Sequence, residues 1–435
     1  MKPKSHATLS DVIPVILVLT VHPQERDQEA QREEEMRALL DTGGRSVQNV
    51  LRQHLQRPHA ATYIGSGKIK ELAEMATACG AQEVAFDVSL SPSQQRNLEE
   101  EVGFKVIDYD ELIIDIFARN ARTHQATLAV DLARMEYTKT RLKRLWSHLD
   151  RQSFSGSLGG TSGGLTGTGE KQIEMDRRLV RKRILTLKRE LDEISERTDR
   201  KVQKRTNCFN ICLVGYTNAG KSTLMNALTR AGVLAEDRLF ATLDTRSHRL
   251  FLEGVGRSVD VVLSDTVGFI RNLPPTLIAS FHATLAEVRE ADLLLHVIDA
   301  ASPVMSEQVA SVEEVLTQIG AAEVPRLNVF NKIDRPHSRT LLGSFRKHCS
   351  PSVAISAITG DGLDQLRTGL EAAVLARVRT LKLRVPVADG AIAAFIRRNT
   401  AVLSERWDET HGELTITADD NLAAQLREHP AIEFV

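Results

Sequence analysis

At 435 residues the chain is too long for one hydrophobic core; at roughly 150 residues per domain it divides into about three. Its 42% hydrophobic share lets each domain bury a core, and a formal net charge of −1 excludes nucleic-acid binding driven by overall charge. Four cysteines (Cys79, Cys208, Cys212, Cys349) and thirteen histidines show neither a disulfide framework nor metal-ligand spacing, so no protein-built transition-metal site is expected.

The first apolar run, Val12–Val21, follows Lys2 and Lys4 and superficially imitates a secretion signal. Asp11 interrupts its front edge and His22-Pro23-Gln24-Glu25 turns polar without a small-residue cleavage site, so the run reads as a buried strand. Beyond it, Gly67–Cys79 reads as a helix, Glu83–Val88 as a strand, Ser91–Val102 as a helix and Lys105–Tyr109 as a strand. Residues 1–118 are therefore expected to form a small α/β domain with parallel pairing. No other apolar run approaches the ~20 residues of a membrane span, and a cytoplasmic monomer is expected.

From 119 to 205 the character changes to long charged helix. Leu128, Leu132, Met135, Leu142, Leu145, Trp146 and Leu149 recur at three- and four-residue steps, as do Ile173, Val180, Ile184, Leu187, Leu191 and Ile194. Between them Ser153–Gly169 is too glycine-rich to continue either helix, which predicts an antiparallel helical hairpin with a glycine-rich tip. Its second arm carries Arg177, Arg178, Arg181, Lys182, Arg183, Lys188, Arg189, Arg197, Arg200, Lys201, Lys204 and Arg205 against only five acidic residues between Glu190 and Asp199. Such a local excess suits a phosphate backbone, although a solvated coiled-coil face would look similar.

Residues 206–374 alternate strand and helix and hold the chemistry. Gly215-Tyr216-Thr217-Asn218-Ala219-Gly220-Lys221-Ser222-Thr223 fits G-x-x-x-x-G-K-[ST] between the apolar run Phe209–Val214 and a helical stretch. A glycine-rich turn at a helix N-terminus offers successive N–H groups to phosphate oxygens. Lys221 adds a cation at the β/γ phosphates and the Ser222 hydroxyl is a Mg²⁺ ligand. Asp265-Thr-Val-Gly268 follows a second apolar strand. There Asp265 would orient a Mg²⁺-bound water and the Gly268 N–H would sense the γ-phosphate. Thr242, in Leu239-Phe-Ala-Thr-Leu-Asp244, is the candidate for the other switch, with its hydroxyl on Mg²⁺. Lys221, Thr242 and Gly268 are thus the candidate catalytic positions.

Asn331-Lys332-Ile333-Asp334 supplies base selection. The Asp334 carboxylate accepts from N1–H and N2–H₂ of guanine, a donor pair adenine lacks; Asn331 suits N7 and the Lys332 stem the ring. Ser356-Ala357 would bring the Ala357 N–H to O6. GTP and GDP are therefore the expected nucleotides. After Gly268 stands Phe269, where Ras-like enzymes place the glutamine that orients the attacking water. Slow unaided hydrolysis follows, with the missing element supplied by a partner, a cation or a switch rearrangement. In several GTPases with an apolar residue there, a P-loop asparagine helps hold K⁺; Asn218 fits that role or merely stabilises the loop.

Residues 375–435 read strand, helix, strand, strand, helix, strand, with His411-Gly412-Glu413 at the hairpin turn: a small α+β module without recognisable chemistry. Two other matches are discounted. Gly160-Thr-Ser-Gly-Gly164 matches a nucleophile elbow but sits in the glycine-rich tip, and Gly65-Ser-Gly67-Lys68 lacks a phosphate loop's spacer.

With these residues in place the chain resembles the HflX family of ribosome-associated GTPases over nearly its whole length. The most specific stretches are Leu239–Asp244, Asp265-Thr-Val-Gly-Phe-Ile-Arg-Asn-Leu-Pro274 and Phe281–Asp299, supported by Ile64–Lys68 and Gly169–Arg178. The resemblance implies Mg²⁺, binding to the large ribosomal subunit and ribosomal RNA through the N-terminal domain and hairpin, splitting of stalled ribosomes, and stimulation of GTP hydrolysis by the ribosome. The tip Gly164-Leu-Thr-Gly-Thr-Gly-Glu-Lys-Gln172 lacks the family's arginine and proline, and Thr245 replaces a proline after Asp244. The expected architecture is α/β. A P-loop GTPase domain, mostly parallel with helices on both faces, follows the small α/β domain and the hairpin and precedes the α+β module. The alternatives are an RNA binder gated by nucleotide with negligible turnover, and a GTPase with a non-ribosomal partner.

Overall fold

A computed structural model describes residues 12–155, 166–203, 208–229, 240, 246–252, 260–281, 285–336, 338, 342, 349–376, 379–387, 390–418 and 420–435. The chain divides into two compact units. One comprises Met1–Ile194 with Arg238–Leu243 and Asn272–Ala283; the other comprises Ser195–Asp237, Asp244–Arg271 and Thr284–Val435.

The first unit opens with β1 (Ile13–Val21), whose last seven residues are all buried, and continues with α1 (Glu29–Thr42), β2 (Arg45–His54) and α2 (Ser66–Ala78). Then come β3 (Glu83–Phe86), α3 (Pro92–Val102), β4 (Lys105–Ile107) and α4 (Tyr109–Asn120). The strands form an all-parallel sheet in the order β2-β1-β3-β4. The expected α/β domain is present, with β2 as an added strand. RSVQNVLRQH has too few apolar residues to announce itself, and its pairing along the whole of β1 decides its state. Gly65 caps α2 and Lys68 pairs with Glu71, so that segment is a helix start.

Two long helices follow, α5 (His124–Ser155) and α6 (Thr166–Gln203). Of their seams, Leu128, Leu132, Ile184, Leu187 and Leu191 are buried, and Lys188 reaches Glu136 across the hairpin. The α6 backbone already includes Thr166–Gly169, which sequence places in the tip. Glycine is tolerated there because a first turn has no intrahelical N–H bonds to lose. The G-x-S-x-G match, Gly160–Gly164, lies outside the described residues. The same unit takes in Phe240 and α8 (Pro275–Ser280). The Phe117 ring lies 4.7 Å from Phe240 and 5.2 Å from Phe281, both edge-on, a geometry worth about 1 kcal/mol beyond burial.

The second unit carries β5 (Cys208–Gly215), α7 (Lys221–Thr229), β6 (Arg246–Leu250), β7 (Asp260–Asp265) and α9 (Ala286–Arg289). It goes on to β8 (Leu293–Asp299), α10 (Met305–Gln318), β9 (Arg326–Asn331), β10 (Ser352–Ala354) and α11 (Leu363–Ala376). The sheet order is β10-β9-β8-β5-β7-β6, parallel except for β6. Central strands buried on both faces are why Phe209–Val214 and Leu293–Ile298 read as mostly apolar runs, each broken by one polar residue, Asn210 and His296. At the mouth of this sheet Gly215 has φ 150°, and a Cβ there would stand 2.2 Å from the Val297 carbonyl oxygen. Gly215→Ala should therefore cost about 2–3 kcal/mol of unfolding free energy, read as a lower urea midpoint at unchanged slope.

The C-terminal module runs β11 (Arg379–Pro386), α12 (Gly390–Asn399), β12 (Ala401–Trp407), β13 (His411–Ala418), α13 (Asp420–Glu428) and β14 (Glu433–Phe434). Its antiparallel order, β12-β13-β11-β14, is the split βαβ arrangement. One expectation needs correction: His411-Gly412-Glu413 opens β13, and the turn is 408–410. Asp408 makes it, its Oδ1 accepting from Thr410 N at 2.7 Å and His411 N at 2.6 Å. These bonds pull its carboxyl down to about 2.

Candidate nucleotide site

The β5 strand delivers Gly215 to the carboxyl edge of the sheet, the place where open α/β sheets bind ligands, and α7 starts at Lys221. Between them Asn218 adopts φ 59° and Gly220 φ 94°, so the loop folds back on itself. Lys221 is buried, and its Nζ donates to Gly215 O at 3.1 Å and Tyr216 O at 2.9 Å. Burial pulls its ammonium down to about 8 against the attraction of Asp265. Ser222 Oγ donates to Asp265 Oδ2 at 2.7 Å, bringing together two of the three proposed Mg²⁺ ligands. Thr223 follows in the first turn of α7. Thr242, the third, lies outside the described residues.

Beyond β7 the chain runs alongside the loop. Phe269 N donates to Gly215 O at 3.1 Å, and Thr217 N donates to Phe269 O at 2.8 Å. Gly268 is thereby pressed onto the loop: a Cβ there would meet Thr217 Cγ2 at 2.8 Å and Lys221 Nζ at 3.1 Å. Phe269 itself is 1% exposed, a core side chain. Next, Arg271 N donates to the Tyr216 hydroxyl at 3.0 Å, and its guanidinium pairs with Glu307 on α10 at 2.5 Å.

The base-recognition segments are tied to the same loop. Asn331 Nδ2 donates to Ala219 O at 2.9 Å, and Ala357 N donates to Asn331 Oδ1 at 3.0 Å. Lys332 holds φ 64°, sparsely populated for a side-chain-bearing residue, and its Nζ donates to Asn218 O at 2.6 Å. Ser356 Oγ accepts from Thr359 N at 3.1 Å, and Asp334 is exposed just beyond. Gly215–Thr223, Asp265, Gly268, Asn331, Lys332, Asp334, Ser356 and Ala357 thus share the carboxyl edge of one sheet.

Sequence reasoning missed Asp299. Its Oδ2 pairs with Lys332 Nζ at 2.7 Å while Oδ1 accepts from Ala301 N at 2.9 Å. A carboxylate closing the apolar run of β8 was the available signal.

Three family models match the chain. Residues 30–118 match the GTP-binding GTPase N-terminal family, residues 120–205 its middle region, and residues 210–332 the 50S ribosome-binding GTPase family. A GTPase HflX from Escherichia coli is 41% identical over 404 residues, 92% of each chain. The chain belongs to the HflX family of GTPases. A second relative, GTPase HflX from Magnetococcus marinus, is 42% identical over 386 residues, 88% of this chain and 87% of its own. A third, from Spirochaeta thermophila, is 43% identical over 334 residues, 76% of this chain and 79% of its own. This HflX GTPase binds guanine nucleotide and hydrolyses GTP. Among the described residues no helix is long and apolar enough to cross a membrane.

Proposed function

We propose that the chain is a cytoplasmic, monomeric GTPase that docks on the large ribosomal subunit while GTP is bound and leaves after hydrolysis. The splitting or rescue of stalled ribosomes is its task on this reading. The observation that carries it is the outward face of α6, where Arg178, Arg181, Lys182, Arg183 and Arg189 are all exposed. Cations held on a rigid helix suit a phosphate backbone, whose binding releases counterions. The match of residues 210–332 to the 50S ribosome-binding GTPase family supports the same partner.

Ribosomal binding is tested with Arg181, Lys182 and Arg183 all changed to glutamate. Co-sedimentation with large subunits should weaken by at least tenfold at low salt, and the log–log salt slope should flatten by about two. Affinity and slope equal to wild type would make the arm a solvated scaffold.

The same reading assigns the site residues. Lys221 and the N–H groups of the Gly215–Ser222 loop hold the phosphates, and Asp334 with Asn331, Lys332, Ser356 and Ala357 selects guanine. Ser222, Asp265 and Thr242 would hold Mg²⁺. The adjoining Ser222 and Asp265 oxygens suit a hard cation, which when bound neutralises charge on the terminal phosphates. Asn218 is the residue that would add a K⁺ contact. The boundaries 118/119, 205/206 and 374/375 are retained as functional divisions: sheet domain, basic hairpin, G domain and C-terminal module. Phe269, buried and unable to reach water, leaves hydrolysis slow until the ribosome completes the site.

A further inference from the structure

Thr217 occupies the third position of the phosphate loop, beside the point where Gly268 and Lys221 converge. Its residue is 7% exposed. Its hydroxyl oxygen is fully enclosed and has no hydrogen-bond partner among the described residues. A buried hydroxyl without a partner costs about 1–3 kcal/mol, so it marks either a defect or a group whose partner arrives with the ligand.

Three features place Thr217 beside the phosphate-binding elements. The methyl of Thr217 faces Gly268, whose built Cβ would lie 2.8 Å away, and the same Cβ would lie 3.1 Å from Lys221 Nζ. Thr217 therefore borders the volume that the loop lysine and the Gly268 N–H assign to the terminal phosphate. The backbone of Thr217 is fixed there, its N–H donating to Phe269 O at 2.8 Å. Phe269 turns its ring into the core, so the position that elsewhere supplies a water-orienting amide supplies none.

We propose that the Thr217 hydroxyl is a catalytic residue: it hydrogen-bonds the attacking water and aims it at the terminal phosphorus of GTP. The inference rests on the assignment of this loop as the phosphate site. In the step it serves, a water oxygen bonds to the terminal phosphorus. The bond from phosphorus to the β–γ bridging oxygen breaks, its electron pair leaving on GDP, and the water's proton passes to the departing phosphate. Thr217 accepts or donates one hydrogen bond throughout and changes no covalent bond. A single preorganised hydrogen bond at this place is worth roughly tenfold in rate.

The test compares Thr217→Val, Thr217→Ala and Thr217→Ser with wild type in single-turnover GTP hydrolysis by the full chain. Affinities for GDP and a non-hydrolysable GTP analogue are measured alongside. Valine keeps the shape without the hydroxyl, so its rate should fall roughly tenfold with both affinities within twofold of wild type, and alanine should show the same loss. Serine should retain most of the rate. A valine variant as fast as wild type overturns the proposal. So does a loss of rate matched by loss of GDP affinity, which would make Thr217 a packing residue. Failure of wild type to bind guanine nucleotide would instead overturn the site assignment, and the proposal with it.

Discussion

Asp334→Asn is expected to weaken GTP binding by roughly 10²–10⁴-fold and to raise affinity for XTP, with GDP and XDP following suit. On the proposed assignment the carboxylate would take two charge-assisted hydrogen bonds from guanine, each worth about 1.5–3 kcal/mol. An asparagine keeps one acceptor and turns a donor toward the guanine 2-amino group, a repulsive contact that xanthine's 2-oxo group converts into a hydrogen bond. The exposed position of Asp334 means folding should change by less than about 0.5 kcal/mol, so the effect belongs to recognition. Titrations with GTP, XTP and ATP decide it; a variant with wild-type GTP preference would refute Asp334 as the base selector. Specificity on this account also depends on Asp299, whose 2.7 Å ion pair fixes Lys332 above the loop.

Gly268→Ala should lower GTP hydrolysis by about 10²–10³-fold while leaving GDP affinity within a few-fold. The added methyl would stand 2.8 Å from Thr217 Cγ2, 3.0 Å from Thr217 Cα and 3.1 Å from Lys221 Nζ. Backbone cannot yield as a flexible chain end does, so the segment after Asp265 must move off the loop. That movement breaks the bonds from Phe269 N to Gly215 O and from Thr217 N to Phe269 O. On the proposed assignment it would also withdraw the Gly268 N–H from the terminal phosphate, and loss of one such donor costs two to three orders of magnitude. GDP lacks that phosphate and should be bound nearly as before. Single-turnover hydrolysis beside GDP titration separates the two effects; wild-type turnover would show that the close approach at Gly268 has no catalytic role.

Much of this could be read in the sequence because buried parallel strands are predominantly apolar runs. Phe209–Val214, Leu327–Phe330 and their neighbours therefore placed the motifs at strand ends. The hairpin was legible for a related reason, the helical repeat of Leu128, Leu132, Ile184, Leu187 and Leu191. What escaped was set by partners distant in sequence. β2 is polar enough to pass for loop and owes its state to β1. Phe117, Phe240 and Phe281 meet across more than a hundred residues, with no local pattern to announce it. The hairpin turn was misplaced because the Asp408 carboxylate, and not the conspicuous His411-Gly412, makes it. The unpartnered Thr217 hydroxyl is a property of packing alone.

The most direct measurement is steady-state GTP hydrolysis in K⁺ and Mg²⁺, with and without purified large ribosomal subunits. The account predicts slow hydrolysis alone and stimulation of at least tenfold by the subunits, lost with the Arg181, Lys182 and Arg183 reversal. Intact GTP binding with no stimulation would contradict it, and would move the partner away from the ribosome.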